Sequence, residues 1–315
     1  MPPPVLPRGC PHGRSALTQL PGLLDADGMN AVRDASESEG ARLMPYARHR
    51  LIRLYYESTG TGTPVLLING QGTTLDSAWR TIDVLARSFR VLAFDNRDTG
   101  QSSFTPLPYS AMQMADDAIA VLDAADEESA HVYGISLGGI VALDLALRHP
   151  DRVRALVLGA TTAGGPTAIP HDPQTLTFFA RVGAMAPEEA EWAAVPYTYG
   201  LTTRRMHAQR IAEDIARRLD SRPENMPLAT LAYIHQVAVA ATHNRMLNVA
   251  HITAPTLVVH GEEDATMSPE NARIMAETIP GAELQMWPGA GHAYVTDEPR
   301  ADEEIAKFLL QHEAA

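Results

Sequence analysis

Gly134-Ile135-Ser136-Leu137-Gly138 places a serine between two glycines. A G-x-S-x-G run carries chemistry where a strand enters it and a helix leaves it. The Ser then sits on a sharp turn with its hydroxyl above the sheet edge. Ala130-His-Val-Tyr133 supplies a strand and Gly139 to Arg148 a helix closed before Pro150. Side chains at Gly134 or Gly138 would collide across so tight a turn. Ser136 is therefore read as a nucleophile. The helix N-terminus aims the N–H of Leu137 at any oxyanion that forms beside it.

A serine hydroxyl is a poor nucleophile until a base takes its proton, and the base needs a third group to fix its tautomer. On an elbow of this kind the acid and then the His follow the Ser along the chain. Of the twelve histidines, His292 closes Pro288-Gly-Ala-Gly-His292, a glycine-rich loop after the last strand. Loops past the carboxyl ends of strands are where α/β sheets place ligands. Asp264 ends Gly261-Glu-Glu-Asp264, beyond another strand. It is preferred to Glu262 and Glu263 because a shorter carboxylate past a Gly turn suits a buried imidazole contact. His260, on that strand end, is expected to pack or bond locally. The second oxyanion donor is assigned to the N–H of Gln71 in Asn69-Gly70-Gln71-Gly72, whose glycines permit close approach to a substrate. A phosphate-binding loop is the rival reading, but no Gly-Lys-Ser/Thr follows. Asp95 to Ser102 reads as a structural loop shaping the same crevice.

These residues need a scaffold. Leu51–Tyr56, Pro64–Ile68, Phe89–Phe94, Ala130–Tyr133 and Val153–Gly159 are short apolar runs of strand composition. Helical periodicity occupies Ser110–Ala124 between them. The rhythm stops at Thr161 and resumes with Pro255–Val259, a helix from Pro269 to Thr278, Ala282–Met286 and a helix from Asp302 to His312. The intervening stretch has helical segments, clearest at Arg204–Leu219 and Leu228–Thr242, and no strand. The fold class predicted is α/β, a mostly parallel doubly wound sheet with a helical cap inserted. The division is a poorly ordered N-terminal arm over 1–44, a core over 45–160 and 249–315, and a cap over 161–248. Aromatic residues concentrate in the cap, and Phe178, Phe179, Trp192 and Tyr233 are expected to touch substrate. Others there are expected to anchor helices to the core.

Composition narrows the functional classes. Thirty-eight Asp and Glu against 25 Lys and Arg leave a formal net charge of −13. Such a chain repels phosphate backbones and anionic membrane faces, so neither nucleic acid nor membrane is an expected partner. The single cysteine, Cys10, cannot form an internal disulfide. No apolar run approaches a membrane span, and no signal-peptide pattern opens the chain. A cytoplasmic protein acting on a small molecule is expected.

In combination the motifs NGQG, FDNRDTGQS, GISLGG, HGEEDATMSP and PGAGH resemble those of the α/β-hydrolase superfamily, in order and spacing, over about residues 45–312. The Asp98-Thr-Gly-Gln-Ser form of the second loop is similar to a branch that includes aromatic-polyketide methyl esterases and enol-lactonase-like hydrolases. The resemblance implies Ser136 as nucleophile, Asp264 as acid, His292 as base, and Gln71 and Leu137 as oxyanion donors. Many members carry His where Asn69 stands; that residue tunes the loop rather than donating. The expected activity is cofactor-independent cleavage of a small, fairly apolar carboxylic ester or lactone through an acyl-enzyme. The alternatives are C–C bond hydrolysis, non-hydrolytic tailoring such as cyclisation, and ligand binding without catalysis. No metal or cofactor is implied, and no H-E-x-x-H or Cys cluster occurs.

Overall fold

The computed structural model describes residues 46–221 and 229–313. The arm expected over 1–44 lies outside them. Eight strands form one sheet: β1 (Tyr46–His49), β2 (Ile52–Thr59), β3 (Pro64–Ile68), β4 (Arg90–Phe94), β5 (Ala130–Ile135), β6 (Val153–Gly159), β7 (Thr256–Gly261) and β8 (Glu283–Trp287). Their order is β1-β2-β4-β3-β5-β6-β7-β8. Strands β3 to β8 run parallel, and β2 is antiparallel to β4 and to β1. This is the α/β-hydrolase fold, an open and mostly parallel sheet with flanking helices. β1 has no counterpart in the sequence reading. Tyr-Ala-Arg-His has no apolar run, and only its pairing with β2 reveals it as a strand.

The central strands are buried on both faces, as continuous apolar runs require. In β3 all five residues are buried. Period-two alternation then splits the core. Leu66, Ile68, Leu92, Phe94, Val132, Leu156 and Leu158 pack on one face against α2 (Ala111–Ala124) and α3 (Leu137–Arg148). Val65, Leu67, Val91, Ala93, Tyr133 and Val157 pack on the other, against α1 (Trp79–Leu85) and α11 (Ala301–Gln311). Helix α2 starts where its sequence says it should. Ser110 and Gln113 form a capping box, each side chain meeting the other's backbone N–H.

Between β6 and β7 the described residues form α4 (Pro173–Val182), α5 (Pro187–Thr198), α6 (Leu201–Met206), α7 (Ala208–Asp220) and α8 (Ala229–Thr242). The single helix expected over Arg204–Leu219 is two, because the chain breaks helical geometry at His207 (φ −132°). After β7 come α9 (Glu270–Thr278), β8, the one-turn α10 (Tyr294–Asp297) and α11.

The topology places the site. The chain leaves β3 for β4 on one side and returns to β5 on the other, so the switch point lies between β3 and β5. Ligands bind outside the carboxyl ends of strands at such a point. Gln71 follows β3, Ser136 follows β5, Asp264 follows β7 and His292 follows β8. Parallel strands bring all four loops to one edge of the sheet.

Candidate active site

Ser136 has φ 55° and ψ −118°, a left-handed φ uncommon for a residue with a Cβ. Hydrogen bonds hold the turn. Its N–H donates to the Gly159 carbonyl (2.8 Å), and its carbonyl accepts from Gly139 N–H (2.9 Å) and Thr161 Oγ1 (2.7 Å). A Cβ on Gly134 would strike the Gly138 carbonyl, and one on Gly138 would strike the Ile68 carbonyl at the end of β3. The motif glycines are thus steric requirements of the elbow. Leu137 is the first residue of α3, where backbone N–H groups lack intrahelical acceptors and the helix dipole is positive.

The loop after β3 crosses close to the elbow: a Cβ on Gly70 would lie 3.4 Å from Ser136 Cβ. Asn69 Nδ2 donates to Thr74 O (2.9 Å), and Asn96 Nδ2 donates to Asn69 O (3.0 Å). Asn69 therefore shapes the loop, as expected. Asp95 is structural too, accepting from the N–H groups of Leu75 and Gln101 (2.8 Å each).

His292 Nδ1 lies 2.8 Å from Asp264 Oδ2. Asp264 is buried, and its Oδ1 accepts from the amides of Thr266 and Met267, both at 2.8 Å. Burial alone would raise the pKa of this carboxyl. The positive potential of His292 and hydrogen bonds from His260 and His292 outweigh burial and bring it down to about 2. An ionised carboxylate only accepts, so Nδ1 of His292 carries the proton and Nε2 is the basic nitrogen. The His292 loop is fixed by Ala293 N–H to Thr198 O (2.8 Å) and Gly291 N–H to Asp297 Oδ2 (2.7 Å).

His260 is buried and bonds locally, as its place on the strand end predicts. Its buried Nε2 sits 2.9 Å from Asp264 Oδ2 and 3.1 Å from Met267 O. Its bond is local in sequence, but it is made to the carboxylate oxygen that His292 uses. Its position four residues before Asp264 was the available signal.

Ser136, His292 and Gln71 border one cavity of about 900 Å³, within the size range of small-molecule sites. Phe178, Phe179 and Tyr233 line it, with Val182 and Met185. Phe178 stacks on Tyr197 at 4.6 Å, and Tyr233 Oη donates to Phe179 O (3.2 Å). Burial raises the Tyr233 pKa, partly offset by a hydrogen bond with Gln71. Trp192 is a correction: it lies outside the lining and is 48% exposed. Pro187, Ala190, Glu191 and Ala194 form the α5 face that borders the cavity. At about 100° per residue Trp192 points off that stripe. Other parts of the lining are polar. Arg80 Nε meets Asp214 Oδ1 (3.0 Å), Thr296 Oγ1 donates to Asp214 Oδ2 (2.6 Å), and Arg218 Nε meets Glu191 Oε2 (2.7 Å). Sequence reasoning named none of these, because each pair joins different helices. Among the described residues no cluster of three His, Cys, Asp or Glu is placed to hold a metal. No helix among them is long and apolar enough to cross a membrane.

A family model described as the alpha/beta hydrolase fold matches residues 63–299. This chain is an α/β-hydrolase-fold protein. Among curated α/β-hydrolase relatives, the RutD protein of Azorhizobium caulinodans, named as a carbamate hydrolase, is 32% identical over 83% of the chain and 96% of its own length. The 2-hydroxymuconate semialdehyde hydrolase of Pseudomonas sp. strain CF600 is 29% identical over 84% and 93%. A thermophilic esterase from Thermogutta terrifontis superposes with a TM-score of 0.71 at 27% identity, covering 85% of this chain and 97% of that one. These three carry hydrolase or esterase names that differ in substrate.

Proposed function

We propose that this chain is a serine hydrolase that cleaves a small, fairly apolar carboxylic ester or lactone through an acyl-enzyme. The observation that carries the reading is the 2.8 Å bond from His292 to the buried Asp264, with His292 and Ser136 on the wall of one cavity. Ser136 Oγ attacks the carbonyl carbon as His292 Nε2 takes its proton. The carbonyl oxygen becomes an oxyanion facing the N–H groups of Gln71 and Leu137. His292 then protonates the leaving alcohol, and water repeats the cycle to release the acid. Phe178, Phe179, Val182 and Met185 supply the apolar wall for the acyl part. The relatives' hydrolase activities support the general reaction, and the choice of ester or lactone rests on the elbow and the pocket.

Incubation with a fluorophosphonate is the test. Mass gain is expected on Ser136 and should vanish in Ser136→Ala and His292→Ala. Folded wild-type protein that takes no label would sink the nucleophile assignment and favour a binding protein. A panel of acyl esters, lactones and C–C substrates then assigns the bond. Turnover of C–C substrates alone would replace the ester and lactone reading.

A further inference from the structure

The oxyanion donor assigned to Gln71 is a backbone N–H, so its direction depends on what holds its peptide. A trans peptide points its C=O and N–H in opposite directions. Gly70 C=O and Gln71 N–H belong to one such peptide, and no peptide among the described residues is cis. Thr73 Oγ1 donates to Gly70 O at 2.9 Å. That bond fixes one end of the peptide and thereby aims the other. The next peptide is held from a different part of the molecule. Gly72 N–H donates to Gln236 Oε1 at 2.7 Å, from the middle of α8. Gln236 is 1% exposed, and its Nε2 donates to Arg97 O at 3.3 Å. An acceptor is needed on one side and a donor on the other, so the amide has one workable orientation.

We propose that Thr73 and Gln236 are positioning residues for the oxyanion hole, clamping the peptides on either side of Gln71. The clamp joins α8 to the loop that polarises the substrate carbonyl. Displacing the helix would therefore misalign the donor. Both residues act through backbone groups and need not touch substrate. The inference rests on the serine-hydrolase reading.

Labelling kinetics with a fluorophosphonate separate the two claims, because the phosphoryl oxygen takes the oxyanion's place. The inactivation rate at saturation (kinact) and the half-saturating concentration (KI) are measured for wild type, Gln236→Leu, Thr73→Val and Thr73→Ser. Denaturant midpoints establish that each is folded. Removing a donor outright costs about 10²–10³-fold, so a donor left present but misaimed should cost roughly tenfold in kinact. KI should stay within about twofold, as for an interaction made only in the transition state. Thr73→Ser keeps the hydroxyl and should restore kinact. Unchanged kinact in Gln236→Leu and Thr73→Val, a loss carried by KI, or Thr73→Ser as slow as Thr73→Val would overturn the clamp. If Gln236→Leu does not fold, the Val and Ser pair at Thr73 decides. Wild type that takes no label removes the serine-hydrolase reading and the clamp with it. Labelled wild type with equally fast variants removes the clamp alone.

Discussion

Asp264 has its acceptor sites filled by two amides on Oδ1 and two imidazoles on Oδ2. A buried carboxylate so surrounded stays ionised and holds one imidazole orientation. Asp264→Asn should lower kcat by about 10⁴-fold, as expected when the base is left in the wrong tautomer. Near-wild-type turnover of whichever substrate the panel identifies would assign the acid elsewhere. The same carboxyl makes a stability prediction. Its pKa is depressed to about 2 in the fold, so its contribution is present above the unfolded value and is lost as pH falls towards 2. The unfolding free energy of wild type minus that of Asp264→Asn should shrink as pH falls below about 4. Chemical denaturation at stepped pH measures the difference. Spacing brought Ser136, Asp264 and His292 forward as the candidate residues. The four-residue spacing from His260 to Asp264 permits their contact but does not select it, since a strand-end histidine can turn to several partners.

The elbow is an encounter of elements. Gly138, at the start of α3, passes the end of β3 so closely that a methyl group would meet the Ile68 carbonyl. Gly138→Ala should cost about 1–3 kcal/mol or more through overpacking, because backbone has nowhere to yield. It should also lower the labelling rate at Ser136 by shifting the helix N-terminus. A urea titration and labelling of the folded fraction report the two effects. A variant as stable and reactive as wild type would contradict the steric role. The elements themselves were largely legible. Apolar runs predicted β3 and β6 to the residue, and periodicity predicted α2 within one position. Among the helices between β6 and β7 the pattern was informative about existence and poor about rotation. Phe178 and Tyr233 line the cavity, whereas Trp192 sits about 100° off the lining stripe of its helix.

Across the molecule, Asp302 joins distant parts of the chain. It is buried in α11, accepts from Thr81 Oγ1 (2.8 Å) of α1, and lies 3.4 Å from Tyr133 Oη of β5. Tyr133 in turn meets Tyr294 of α10 at 2.6 Å, two residues beyond His292. Burial raises the Asp302 pKa to about 7, opposed by hydrogen bonds from Thr81 and Tyr133. A raised folded pKa favours the protonated form, so its contribution is present below about pH 4 and is lost as pH rises through 7. Asp302→Asn should therefore gain stability relative to wild type between pH 4 and 7, read from denaturant midpoints across that range. A pH-independent difference would mean that Asp302 does not titrate there. The net charge of −13 is a property of the whole chain and bears on partners rather than on the pocket. By itself the sequence located strands β2 to β8 and the strand–turn–helix at Ser136, and it supplied the proposed nucleophile, acid and base. Those depend on local periodicity, backbone sterics and motif spacing, which act within a few residues. Only the tertiary structure decided that His260 shares the acid, that Gln236 reaches the oxyanion loop and that Trp192 stays outside the cavity. Strand order and helix rotation set those contacts, and neither is written in a short stretch of chain.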